Sequence, residues 1–161
     1  MSLTFRRAQP EDMGLLLSLI KELARYEHLE HEVTATEEIL SEWLFAKKKA
    51  EVIFPMLENE AIGYVLYFYN FSTFLGKAGI YVEDLFIRPE FRHKGHGKAL
   101  LRHIARKAEA EGLGRVEWAC LDWNEPSIAF YLSLGAVSMQ GWSAYRLTGQ
   151  KLTAFAQTRD E

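Results

Sequence analysis

Between Arg88 and Glu109 the chain reads RPEFRHKGHGKALLRHIARKAE, with Gly95 and Gly97 set one residue apart among Arg92, Lys94 and Lys98, just before a helical pattern. A helix start preceded by small residues exposes unpaired backbone N–H groups, and the helix dipole adds about half a positive charge there. Such a turn suits a phosphate, which the glycines would let approach the backbone closely. Two nucleotide loops are excluded by the residues present. A Walker A loop needs glycine where Arg92 stands, and Ser or Thr for Mg²⁺ where Ala99 stands. A dinucleotide fingerprint needs a third glycine at Leu100 and a strand that runs more directly into the first glycine. On spacing alone the loop stays between a phosphate cradle and an ordinary tight turn.

Other reactive residue types are few. His93 and His96 have an HxxH spacing, but no third ligand accompanies them, so no metal is expected. Cys120 is the single cysteine, which excludes an intrachain disulfide or a CxxC motif and reads as a small core residue. Glu83 interrupts an apolar strand, where an unpaired charge is costly unless it meets polar groups, water or an ion-pair partner. Strict alternation would send Glu83 and Asp84 to opposite faces. Tyr131 beside Phe130 fits core packing on a helix as well as it fits chemistry.

The elements that must position these residues follow from periodicity. LTFRRA (3–8) predicts an opening strand, and Pro10 suits the first turn of a helix. Met13, Leu16, Leu17, Ile20, Leu23 and Ala24 recur at helical spacing, which predicts an amphipathic helix to about His28. Thr34 with Glu37 reads as a capping box for a second helix through Leu44 and Phe45. EVIFPMLE and EAIGYVLYFYNF flank a turn at 58–60 and predict an antiparallel hairpin, with Pro55 placing its first strand at an edge or bulge. AGIYVEDLFIRP predicts a strand ending at Pro89; after the loop, Gly97, Leu100, Leu101, Ile104, Ala105 and Ala108 share one helix face, and Lys98, Arg102 and Arg106 another. GRVEWACL (114–121) reads as a strand, EPSIAFYLSL as a helix stopped by Gly135, and WSAYRL (142–147) as a last strand. The expected fold class is α/β, an α+β mixed sheet, in one domain over residues 1–161.

Composition narrows the function classes. The 161 residues are 48% hydrophobic and 13% aromatic, which supports a packed core. Net charge is −3, but 21–60 holds ten Glu against five Lys or Arg, while 88–115 holds eight Lys or Arg against three Glu. One surface should favour cations and another anions; a nucleic-acid binder would more often be basic overall, so none is expected. No apolar run is long enough for a membrane span and the start carries charge, so a cytoplasmic protein without membrane attachment is expected.

The wording VEDLFIRPEFRHKGHGKALL resembles the Gcn5-related N-acetyltransferase (GNAT) superfamily, whose loop runs Arg/Gln-x-x-Gly-x-Gly/Ala after a strand. Here those positions are Arg92, Gly95 and Gly97. DWNEPSIAFYLSLGA (122–136) is similar to the superfamily's later strand-to-helix segment. LIKELARYEHLE (19–30), YVEDLFI (81–87) and WNEPSIAFY (123–131) resemble the diamine (spermidine/spermine) and thialysine N-epsilon-acetyltransferase branch.

The resemblance implies a GNAT fold, a mostly antiparallel sheet with a splayed parallel strand pair, and acetyl-CoA as co-substrate. It implies that Arg92, His93, Lys94, Gly95, His96, Gly97 and Lys98 hold the pyrophosphate. The backbone of Leu85, Phe86 and Ile87 would pair with the pantetheine and polarise the thioester carbonyl. Asn124 and Ser127 would contact the pantetheine end, Glu83 would accept the amine's proton through water, and Tyr131 would donate a proton to the leaving CoA thiolate. Tyr26 and Glu27 would line the amine site, with Glu30 and Glu32 extending an acidic patch whose bland reading is a solvated helix end. Ser72-Thr73 stand where the polyamine enzymes carry an acidic residue, and Gln140 where both branches carry Glu; fewer carboxylates favour a short amine or amino-acid side chain over spermine. A homodimer is implied as well. The competing expectations are acetylation of a protein N-terminus or lysine, and a non-catalytic acyl-CoA sensor.

Overall fold

A computed structural model describes residues 2–160. Contacts group the chain into two compact units, Met1–Ala119 and Cys120–Glu161. The first contains a six-stranded sheet: β1 (Leu3–Arg7), β2 (Glu51–Leu57), β3 (Glu60–Ala61), β4 (Gly63–Ser72), β5 (Lys77–Ile87) and β6 (Val116–Trp118). Its order is β1-β2-β4-β5-β6, with the short β3 beside β2. All pairs are antiparallel except β5–β6, which is parallel.

Alternation along the strands builds two apolar layers. Val52, Phe54, Met56, Tyr64 and Phe86 pack with Met13, Leu16 and Leu19 of α1 (Met13–Tyr26). Ile53, Val65, Tyr67, Ile80, Val82 and Ile87 pack with Leu100, Ile104 and Ala108 of α3 (His96–Ala110). Helix α1 thus covers one face of the sheet and α3 the other, as their predicted apolar stripes require.

α1 follows a single 3₁₀ turn at Pro10–Asp12, where the Gln9 N–H donates to Asp12 Oδ2 at 2.7 Å. It ends at Tyr26 in a Schellman closure: Leu29 N–H donates to Ala24 C=O at 2.8 Å and His28 N–H to Arg25 C=O at 3.2 Å. His28 takes the left-handed position (φ 61°) that glycine usually fills. The second helix, α2 (Glu37–Ser41), continues as a π-turn over Glu42–Ala46. Its cap is Thr36, whose Oγ1 accepts the Ile39 N–H at 3.2 Å, rather than the expected Thr34; both are good cap types, and the chain turns helical only at Glu37.

Pro55 does not mark an edge strand, because β2 lies between β1 and β4. It sits at a break in pairing instead. The β2–β4 ladder runs only over Glu51–Ile53, and Pro55 C=O then accepts from Ile62 N–H at 3.0 Å, so the missing proline N–H faces an interrupted ladder.

In the second unit, α4 (Glu125–Ser133) closes with Gly135 N–H on Leu132 C=O and Ala136 N–H on Tyr131 C=O, and Gly135 is left-handed (φ 92°) as expected. The predicted last strand at 142–147 is absent from the described residues; that segment is irregular and a further helix, α5, follows at Gly149–Gln157. Extended, alternating chemistry makes a strand only when a ladder partner is present, and here none pairs with it. β6 is likewise shorter than the predicted 114–121.

Candidate active site

Two irregularities meet at Glu83, one on each edge of β5. The parallel ladder to β6 ends at Val82 opposite Trp118, so Glu83–Ile87 have no strand beside them on that side among the described residues. At the same point the register with β4 slips: Leu66 faces Asp84 and Tyr67 faces Val82, leaving Glu83 as an extra residue without a partner. A bulge of this kind reverses side-chain parity along the strand. Before it, Ile80 and Val82 belong to the α3 layer; after it, Ile87 belongs there and Phe86 belongs to the α1 layer. Strict alternation fails at the bulge, so it does not assign the extra residue, exposed Glu83, to a face.

Asp84 is turned toward the α1 side, where its Oδ2 accepts the Tyr64 O–H at 2.8 Å. Burial raises the Asp84 carboxyl above its ordinary range, the hydrogen bond from Tyr64 opposes that, and the charge of Glu83 adds to it. Glu27, at the end of α1, is also raised, by burial first and by Asp84 second. Tyr64 is held far above the usual phenol range by burial and by Asp84, so it remains a proton donor. Glu27, Asp84 and Tyr64 thus form one acidic, partly dehydrated cluster under exposed Glu83, a setting that would be relieved by a cation. Sequence reasoning found Glu27 and missed Asp84 and Tyr64. The apolar-flanked carboxylate pair at 83–84 was the available signal, and the bulge made it unreadable.

The backbone of this segment leaves no room at one point. A Cβ on Gly63, which faces Ile87, would overlap the Phe86 carbonyl oxygen. Gly63→Ala is expected to destabilise the protein by about 1–3 kcal/mol, as overpacking does. Thermal unfolding checks this: an unchanged Tm would mean that β4 and β5 separate freely.

The loop after β5 makes a 3₁₀ turn at Pro89–Phe91 and enters α3 through Gly95, left-handed at φ 83° with open space around its Cα; His93 is also left-handed (φ 63°). The first N–H groups of α3 have no side-chain cap, so they remain available to an anion. His93, Lys94, Gly95 and Lys98 are exposed, with His96 and Gly97 half-buried. Arg92 is engaged otherwise: its Nε–H donates to Ile87 C=O at 2.7 Å, and its guanidinium lies over the rings of Tyr26 at 4.6 Å and Phe86 at 5.5 Å. Tyr26, Glu27, Glu83, the 85–87 backbone and the loop are therefore gathered around one end of β5.

Tyr131, Asn124 and Ser127 lie in the second unit. Asn124 caps α4, its side-chain oxygen accepting the Ser127 N–H at 3.4 Å. Tyr131 is in the last turn of α4 and its ring meets Phe130 at 5.5 Å. Among the described residues no group of three or more His, Cys, Asp or Glu has metal-holding geometry, His93 and His96 included.

Comparison with known proteins puts this arrangement in context. The model of the Acetyltransferase (GNAT) family matches residues 16–136. A thialysine N-epsilon-acetyltransferase of Bos taurus is 33% identical, covering 94% of this chain and 95% of its own. An L-ornithine N5-acetyltransferase of Arabidopsis thaliana is also 33% identical, over 92% of this chain and 86% of its own. Among solved structures, an integron cassette protein from the mobile metagenome of V. cholerae superposes with a TM-score of 0.82 at 26% identity, over 98% of this chain and 99% of its own.

Proposed function

Because this chain belongs to the GNAT family and is an acetyltransferase, we propose that it transfers the acetyl group of acetyl-CoA to a primary amine of a small molecule, in a ternary complex, within one catalytic domain over 1–161. The observation that carries the acceptor class is the Glu27–Asp84 pair: two carboxylates raised by burial, the charge of Asp84 raising Glu27 further, beside the open edge of β5. A protonated amine is the complement of that pair. The names of the ornithine and thialysine relatives support a short, amino-acid-like chain over a long polycation.

Acetyl-CoA supplies an activated thioester, and the residues present fit it. Gly95 and the uncapped start of α3 suit its pyrophosphate, with His93, Lys94, His96, Gly97 and Lys98 around them. The unpaired edge at Leu85, Phe86 and Ile87 suits an extended amide-bearing chain, which would add to β5 as a strand does. Asn124 and Ser127 are assigned to the same chain's far end.

An alkyl amine with pKa near 10.4 is almost fully protonated at pH 7, and its deprotonation costs about 4–5 kcal/mol. Asp84, Glu27 and Tyr26 hold the cation; exposed Glu83 accepts the proton through water. Backbone N–H groups on the β5 edge stabilise charge on the carbonyl oxygen, and Tyr131 delivers a proton to the departing sulfur. We further propose a cytoplasmic homodimer, using the exposed segment that carries Val137, Trp142 and Tyr145.

The test is CoA thiol release by purified protein offered acetyl-CoA with ornithine, thialysine, lysine, diamines and polyamines. The expected result is the highest kcat/KM on an amino-acid-like amine. No thiol above background with any of them overturns the reading; acetylation of lysate proteins in place of small amines would transfer it to a protein acceptor.

A further inference from the structure

Two arginines of the β5–α3 connection grip two residues of α1 that lie one turn apart on one helix face. Arg88 reaches both carboxylate oxygens of Glu22, from Nε and from one terminal nitrogen, at 3.2 Å each, and its other terminal nitrogen donates to Ala61 C=O at 3.4 Å. Four residues on, Arg92 lies over Tyr26 and Phe86 while its Nε–H is bonded to Ile87 C=O. One guanidinium therefore touches the aromatic wall assigned to the amine and the β5 segment assigned to the thioester chain. Its stacking and its Nε bond leave Arg92 less free to act as a phosphate ligand than the exposed Lys94 and Lys98.

Resting on the acetyl transfer proposed above, we propose that Arg92 is a positioning residue that registers the acceptor end of α1 against the donor loop, so that donor and amine bind with positive coupling. A donor that orders the loop holds Arg92 in place, and Arg92 then holds Tyr26, so the amine meets a preorganised wall. By reciprocity the amine tightens donor binding by the same factor. Arg88 and Glu22 anchor the other half of the clasp and keep α1 from pivoting.

The coupling is measurable without turnover. Coenzyme A is titrated calorimetrically into the full-length protein with and without saturating L-ornithine, replaced by whichever panel amine turns over fastest. The wild type is expected to bind CoA about fivefold more tightly with the amine present. Arg92→Lys keeps the charge and loses the planar fork, and Tyr26→Leu removes the ring. Each is expected to bring that ratio to about one, while CoA affinity without amine changes by less than about threefold, the size of a lost exposed stacking contact. A wild-type ratio near one overturns the proposal, as does a ratio that survives Arg92→Lys. A loss of CoA affinity beyond about tenfold without amine makes Arg92 a phosphate ligand of the charge-assisted kind and also overturns it. A wild type that transfers no acetyl group defeats the proposed function instead, a result separable from failure of the clasp alone.

Discussion

Tyr131→Phe is expected to lower kcat by about 10²-fold or more, the range lost when a positioned general acid is removed. Phenylalanine keeps the ring that meets Phe130 and leaves the Asn124 cap and the Gly135 closure of α4 untouched, so α4 should stay folded. In the proposed mechanism the hydroxyl acts on the departing sulfur, an interaction made only in the transition state, so kcat and kcat/KM should fall together and KM for acetyl-CoA should hold. Steady-state rates over both substrates check this. An undiminished kcat would remove Tyr131 from the chemistry and leave the fold and the donor loop standing.

Asp84→Asn should separate function from stability. Asparagine keeps an acceptor for the Tyr64 hydroxyl, so the hydrogen bond survives while the charge is lost. Without that charge, kcat/KM for the amine should fall by about 10- to 100-fold, the value of a charge-assisted contact of roughly 1.5–3 kcal/mol. Stability should move the other way. The folded-state pKa of Asp84 is raised above its unfolded value, so its ionisation opposes folding: the native state is favoured below the unfolded pKa, and that advantage is lost as pH rises through the folded one. At pH 7 the variant should therefore melt about 2–4 °C higher, corresponding to about 1 kcal/mol, and the difference should vanish below about pH 3, where the wild-type carboxyl is neutral in both states. Melting curves across that range check the sign. A variant less stable at pH 7 would mean that the ionised carboxylate is held by favourable contacts.

The acid limb of the wild-type pH–rate profile follows from the same pair. With Glu27 and Asp84 both raised, binding of the cationic amine should begin to fail at a higher pH than an ordinary carboxylate would dictate. In Asp84→Asn the limb should shift to lower pH, because Glu27 loses the neighbouring charge that helps to raise it. A limb that stays in place would assign it to another group.

Much of this molecule was legible because short-range chemistry wrote it. Met13, Leu16 and Ala24 had to share one face of α1, and Leu100, Ile104 and Ala108 one face of α3, since helical spacing leaves no other way to bury them; Leu19, fully buried, was not in the predicted stripe. Gly135 adopts the left-handed conformation that the helix stop required. The family resemblance carried by 81–98 and 122–136 identified the acetyltransferase, because a loop that cradles a particular anion constrains residue types over a short stretch. Where the reading failed, it lacked information about partners. WSAYRL has strand chemistry and no ladder; of the edge or bulge that Pro55 suggested, its place in an interior strand at a gap in pairing excludes the edge.

The proposed amine site shows the division most clearly. Sequence alone determined that the loop from Arg92 to Lys98 is basic and glycine-bearing, that Glu83 and Asp84 are adjacent on an apolar strand, and that the end of α1 is acidic. Tertiary structure decided which carboxylate joins Glu27. One unpaired residue in the β4–β5 ladder reverses the parity of β5 and turns Asp84 toward Tyr64. A register slip is a property of two strands together, fixed by pairing energy across the sheet, and neither strand's own residues record it.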